Sequence, residues 1–244
     1  MSTVAVIPAR YGSTRFPGKP LATIVGKPMI QWTYEKAAAS KADKVIVATD
    51  NQEIFDCVTS FGGCAIMTRN DHPTGTDRIA EAVENIDCDL IINLQGDEPL
   101  LPTEVIDELI DRMQNSPEVN MGTVAVPKSF DDEAYQNPNN VKVVLDQNQQ
   151  ALYFSRSPIP YKRNEPQHGE SIYLHWGIYA YRRSLLFDFI TWPQSMLEKI
   201  ESLEQLRVLE HGEKILVTVS DQESVGVDTP EDIEKVEKIL AGLK

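Results

Sequence analysis

Five short runs rich in β-branched residues punctuate the first half of the chain, separated by four stretches of helical length. The runs are 4–9, 44–49, 64–67, 89–94 and 121–126, and residues 29–39, 52–60, 77–84 and 104–113 carry the helical patterns between them. A strand as evenly apolar as Val4-Ala5-Val6-Ile7 must be covered on both faces, and crossover helices provide that cover. The reading is therefore α/β: a doubly wound, mostly parallel sheet of Rossmann-like type. After residue 128 the texture changes to a loop and two strands, with Asn-Gln near a hairpin tip. A strand over 171–181, a helix over 202–210, a strand over 214–219 and a closing helix over 230–240 follow. One domain spanning 1–244 is expected, with 129–180 as a β-rich insertion.

Against this frame the segment PARYGSTRFPGKP, residues 8–20, stands out. The chain has 37 acidic and 23 basic residues, a formal charge of −14, yet this loop holds Arg10, Arg15 and Lys19 and no carboxylate. A nucleic-acid surface is excluded by the acidic balance, because backbone phosphates call for a broad basic face. No apolar run reaches the 18 or more residues of a membrane helix, and the N-terminus lacks a basic and apolar leader. A soluble, cytoplasmic protein is expected. Cys57, Cys64 and Cys88 are odd in number and lack C-x-x-C spacing, which argues for free buried thiols rather than disulfides or zinc.

Ligands of open α/β sheets bind beyond the carboxyl ends of the strands. Two chemically loaded segments fall there: the 8–20 loop and NLQGDEP, where Gln95, Gly96, Asp97 and Glu98 follow an apolar run. The loop matches neither G-x-G-x-x-G nor G-x-x-x-x-G-K-[ST], since five residues separate Gly12 from Gly18 and Pro20 replaces the hydroxyl residue. It still suits a polyphosphate: glycines admit backbone N–H groups, Ser13 and Thr14 donate, and three cations neutralise phosphate charge. The alternative is a solvated turn with scattered cations.

Seven segments in order, IPARYGSTRFPGKPL, HPTGTDRIAEA, NLQGDEP, YFSRSPIP, HWGIYAYR, LEQLRVLEHGEKI and GVDTPEDIEKV, resemble the 3-deoxy-manno-octulosonate cytidylyltransferases. That resemblance implies a Rossmann-like nucleotidyltransferase that joins CTP to a 2-keto-3-deoxy sugar acid and releases pyrophosphate. It implies magnesium held by Asp97 and Asp228, and a triphosphate held by Arg10, Ser13 and Lys19 with help from Arg15. The cytosine would be read at Thr76 and Arg78. The sugar acid would meet Gln95, Arg156, His175, Tyr179, Glu204 and Gln205, with Arg156 gripping its carboxylate. A homodimer is implied as well.

Bland alternatives stand beside these roles. Asp228 also fits a helix start in which Thr229 is the N-cap and Pro230 the first helical residue. Arg78 could pair with Asp77 or Glu81 on a helix surface, His175 could be an ordinary strand histidine, and Glu204 and Gln205 a solvated helix face. A nucleotide-binding module without turnover and a structural protein with a vestigial cleft are the non-enzyme readings; a sialic acid is the alternative substrate. The 161–171 segment is shorter than is common in the family. That motivates a tail-modified octulosonic acid such as the 8-amino form, with Glu165, Glu170, Glu204 or Glu210 facing the amine.

Overall fold

The computed structural model describes residues 1–12, 16–166 and 170–242. Ser13, Arg15 and His168 lie outside the described residues. In chain order the elements are β1 (Thr3–Ala9), β2 (Thr23–Ile24), β3 (Lys27–Pro28), α1 (Met29–Ala38), β4 (Lys44–Thr49), α2 (Gln52–Ser60), β5 (Ala65–Met67), α3 (Gly75–Val83), β6 (Leu90–Asn93) and α4 (Thr103–Gln114). Then follow β7 (Met121–Lys128), β8 (Lys142–Leu145), β9 (Ala151–Ser155), β10 (Ile172–Arg182), α5 (Arg183–Phe189), α6 (Met196–Glu201), α7 (Gln205–Glu210), β11 (Ile215–Val219) and α8 (Pro230–Gly242).

The chain packs as two compact units, Met1–Ile110 with Glu223–Lys244, and Asp111–Gln222. The second unit is wider than the anticipated 129–180 insertion because β7 pairs with both β10 and β11. Strands on either side of the insertion thus belong to the same body.

In the first unit β1 pairs in parallel with β4 and β6, and β4 with β5, giving the order β6-β1-β4-β5. Val4, Ala5, Val6 and Ile7 are 3% exposed or less, as a strand covered on both faces requires. The sequence passes from β1 outward to β5 and then returns to β6 on the other side of β1. That reversal is the switch point of an open parallel sheet, where the strand ends splay into a crevice.

α2 begins at Asn51, whose side-chain oxygen accepts from the Ile54 N–H at 3.1 Å, and the apolar face of the helix buries Ile54 and Val58. A two-strand hairpin missed by the periodicity, β2 with β3, turns through Val25 and Gly26 at φ 45° and 79°. The Val25 N–H donates to Glu237 of α8 at 3.0 Å. Ile24, Met29, Val227 and Val236 form a buried cluster there, so the last helix is packed into the first unit.

The second unit is a mixed sheet. β10 runs antiparallel to β7 and β8, β8 runs antiparallel to β9, and β11 runs parallel to β7. Helices α5 and α6 have no counterpart in the sequence reading, and the helix read at 202–210 starts instead at Gln205. Ser202, at φ 54°, breaks the chain between α6 and α7.

Candidate active site

β1 and β6 end side by side, so the residues after each meet at the switch point. A cavity of about 460 Å³ opens there, with Arg10, Gly12, Lys19, Gln95, Asp97 and Asp228 on its walls. The 8–20 loop closes on itself through Gly18, whose N–H donates to the Tyr11 carbonyl at 3.0 Å. Gly18 has φ 70°, and a Cβ there would stand 3.3 Å from the Tyr11 ring, so glycine alone fits without strain. That turn aims Lys19 inward. Its ammonium lies 2.5 Å from Asp97 Oδ2, 2.9 Å from the Val227 carbonyl oxygen and 4.0 Å from Asp228 Oδ1.

Val227 is what brings residues 97 and 228 together, because its N–H also donates to the Asp97 carbonyl at 2.9 Å. Beside it, a Cβ on Gly226 would come within 3.3 Å of Glu98 Oε1, which fixes how closely the two segments can run. The two readings of Asp228 prove compatible. Asp232 accepts from the N–H groups of Asp228 and Thr229 at 3.2 and 3.0 Å, and thereby caps α8. Its carboxyl is held down to about 2, chiefly by Lys235 and then by those backbone donors. The cap thus leaves the Asp228 side chain turned toward Lys19.

Two carboxylates already gather around one cation, and hard oxygen donors of this kind fit magnesium. Among the described residues no cluster of three or more His, Cys, Asp or Glu gathers, so water and substrate phosphates would complete such a shell.

A second cavity of about 200 Å³ shares Pro8, Ala9, Arg10 and Gln95 with the first and adds His72, Thr74, Gly75 and Arg78. Thr74 caps α3 by accepting from the Thr76 and Asp77 N–H groups. Thr76 itself is 4% exposed within the helix, and Thr74 and Gly75 present the wall in its place. Arg78 pairs with neither Asp77 nor Glu81. Its guanidinium donates to Asp50 at 2.6 Å, Thr68 at 2.5 Å and the Arg69 carbonyl at 3.3 Å, tying the loops after β4 and β5 to α3 as one wall. His72, which its sequence context did not single out, is the unanticipated member, and its ring is held by the Glu81 carboxylate.

Gln95, one of the residues assigned to the sugar, lines both cavities of the first unit, and the other five lie in the second unit. His175 and Tyr179, four apart on β10, would stand about 13 Å apart on a regular strand. Between Trp176 and Tyr179 the register against β7 advances by one pair instead of three, so two residues bulge out. Adding two residues preserves the face and shortens the gap, and the ring centroids are 5.4 Å apart. His175 Nε2 hydrogen-bonds the Thr123 hydroxyl at 3.0 Å, and the Tyr179 hydroxyl donates to Gln205 Oε1 at 3.2 Å. Gln205 is 3% exposed, and its Nε2 has no partner among the described residues, an amide donor left for an incoming oxygen. Glu204 stands at the start of α7 and, after burial, is the second influence that raises the Tyr179 phenol well above its ordinary value.

Arg156 follows β9 and spends its guanidinium on carbonyls: Nε on Glu201 at 2.8 Å, Nη1 on Pro138 at 3.1 Å and Nη2 on Ser202 at 3.4 Å. Of its five N–H donors, these bonds use three.

Burial holds the His175 imidazole down to about 3, against an ordinary value near 6.5. The folded state therefore refuses a proton that the unfolded chain accepts. Stability is complete above about pH 6.5 and is lost as pH falls toward 3, by about 1.4 kcal/mol per unit. His175→Gln is expected to flatten that part of the urea-midpoint profile between pH 6.5 and 4. An unchanged slope would place the titration elsewhere.

A cavity at the switch point, edged by Arg10, Lys19 and an aspartate pair, is the arrangement expected of a nucleotidyltransferase. A cytidylyltransferase sequence profile matches residues 4–215. A 3-deoxy-manno-octulosonate cytidylyltransferase of Thermodesulfovibrio yellowstonii is 53% identical, and one of Photobacterium profundum is 50% identical; the matches cover 98% of this chain and 98% and 100% of theirs. The solved structure of a CMP:2-keto-3-deoxy-manno-octonic acid synthetase complexed with CTP superposes with a TM-score of 0.94 at 46% identity, covering both chains fully. The chain belongs to the cytidylyltransferase family, among the 3-deoxy-manno-octulosonate cytidylyltransferases.

Proposed function

We propose that the protein transfers a cytidylyl group from CTP to 3-deoxy-manno-octulosonate, giving the CMP-sugar used in lipopolysaccharide synthesis. The convergence of Lys19, Asp97 and Asp228 on one cavity carries this reading. Lys19 and Arg10 bind the triphosphate and neutralise charge on the leaving pyrophosphate, with Ser13 and Arg15 of the same loop as further donors. Arg78 holds the wall of the smaller cavity, against which the base rests. Magnesium bound by Asp97 and Asp228 would polarise the α-phosphate and favour ionisation of the attacking hydroxyl. Asp97 and Asp228 would hold such a cation, and Lys19, paired with Asp97 at 2.5 Å, faces the same cavity as the phosphates. The anomeric oxygen then bonds to the α-phosphorus in line as the bond to the bridging oxygen breaks, and the hydroxyl proton leaves to solvent. Arg156 and Gln205 orient the sugar acid, with the neutral Tyr179 hydroxyl holding the Gln205 side chain in place.

Pyrophosphate release with CTP and magnesium tests the reading, with the octulosonic acid, its 8-amino form and a sialic acid compared by kcat/KM. Preference for the octulosonic acid is expected, preference for the amine would assign the tail-modified substrate, and preference for sialic acid would overturn the substrate class. No helix among the described residues is long and apolar enough to cross a membrane, in keeping with the proposed cytoplasmic setting. A homodimer is proposed through the second unit, where Leu152, Met196 and Ile200 are 62%, 65% and 72% exposed. Sedimentation at the monomer mass of 27.4 kDa would refute it.

A further inference from the structure

Lys142 has no solvent exposure and heads the fully buried side chains by volume, an unusual place for an ammonium. It sits on β8, the middle strand of three. On one side β10 carries His175 and Tyr179, and on the other β9 ends at Ser155, next to Arg156. Lys142 pairs with Leu174 on β10 and with Ser155 on β9. Because faces alternate along a strand, its side chain lies on the opposite face from His175. It therefore does not share the surface assigned to the sugar ring.

Its three donors go to backbone carbonyls: Asn137 at 3.0 Å, Asn140 at 2.7 Å and Arg156 at 2.6 Å. No carboxylate is among these partners. The one nearby carboxylate, Glu201, is turned to other work, accepting from Ser155 Oγ at 2.5 Å and from the Arg156 N–H at 2.9 Å. Glu201 and Arg156 are the charged groups whose fields reach the Lys142 ammonium, one attracting and one repelling it. Two cations thus share one carboxylate, which leaves one positive charge in excess, the Lys142 end fully buried and the Arg156 guanidinium partly exposed. Such an excess costs folding stability unless an anion completes it.

We propose that Lys142 is a positioning residue for the substrate's carboxylate: it locks the Arg156 backbone in place and, with Arg156, supplies a positive charge that the bound sugar acid neutralises. The three carbonyls it ties come from the 137–140 loop and residue 156. Arg156 in turn holds Pro138, Glu201 and Ser202, the last two on the connection that leads into Gln205. One buried ammonium thereby fixes the guanidinium and braces the segment that presents the free Gln205 amide. The inference rests on the substrate reading above, and deepens it by naming what recognises the acid.

The test compares the octulosonic acid with its uncharged C1 amide as ligands, using dissociation constants measured by calorimetry with wild type and Lys142→Met. Wild type is expected to prefer the acid at least tenfold, and Lys142→Met to lose most of that preference while its KM for CTP changes less than twofold. A bracing role without the charge would weaken both ligands equally, and a preserved acid-to-amide ratio overturns the proposal. Should Lys142→Met fail to fold, Glu201→Gln gives the opposite test. It removes the sole negative charge of the group and is expected to increase the preference for the acid, and a decrease counts against the charge argument. Wild type that binds neither ligand defeats the substrate reading itself. Wild type that prefers the acid, with variants that keep its ratio, defeats only the role of Lys142.

Discussion

Asp97→Asn is expected to cut kcat about a thousandfold while the protein stays folded. Asparagine keeps the size of the side chain, and the clip that brings Val227 to residue 97 uses only the backbone carbonyl. The variant therefore keeps the geometry and loses one carboxylate charge. Its ion pair with Lys19 is partly exposed, the Asp97 side chain at 35%, so its loss costs about 1 kcal/mol of stability or less. Catalysis suffers far more, since a bound divalent ion supplies several kcal/mol at the transition state. About 4 kcal/mol of that, at roughly 1.4 kcal/mol for each factor of ten, is the thousandfold. Pyrophosphate release at saturating CTP across a magnesium series measures it, alongside thermal unfolding. A rate near that of wild type at limiting magnesium would remove Asp97 from the metal site.

The largest effect on stability is expected from Arg207→Met. Arg207 and Glu198 form a two-pronged pair at 2.8 and 2.5 Å, with side chains 7% and 4% exposed. The guanidinium also donates to the carbonyls of Phe189 and Trp192 and lies 4.2 Å from the centre of the Phe189 ring. Methionine fills the volume but abandons the Glu198 charge inside the protein, a loss of about 3–5 kcal/mol. Replacing both partners by methionine should recover most of it, because the uncompensated charge, rather than the lost attraction, dominates the cost. Urea unfolding distinguishes these outcomes, and a loss under about 1 kcal/mol in the single variant would show the pair to be dispensable. Since α7 starts at Gln205, the single variant should also weaken binding of the sugar acid before it affects CTP.

What the sequence discloses depends on the range of the interaction. The apolar run of β1 and the cations after it are local facts, and they placed Arg10 and Lys19 on the cavity without help from the fold. Asp97 and Asp228 were named as a pair through the family's motifs, and the backbone of Val227 is the physical reason they can meet. For Arg78 only the surface pairing with Asp77 or Glu81 fails, because its partners, Asp50 and Thr68, are 28 and 10 residues away and advertise nothing in its neighbourhood. His72 was passed over for the same reason: its place on the cavity wall follows from Glu81, a full turn into a helix. On β10 the shared face of His175 and Tyr179 followed from alternation, but their ring contact needed a bulge that only pairing with β7 reveals. The division into two units escaped as well, since it depends on which strands β7 selects.

The clip made by Val227 also sets an order of events during synthesis. Residues 1–110 carry the cationic loop and Asp97, but the unit they belong to is completed only by residues 223–244. A ribosome that has released everything up to residue 222 has therefore produced a chain that can build β1, β4, β5 and β6, yet has neither Asp228 nor the carbonyl that steadies Lys19. Until then that lysine has Asp97 as its one carboxylate of the pair. Lys19, Asp97 and Asp228 can therefore gather only in a chain that already contains residues 223–228, however early the strands around β1 form.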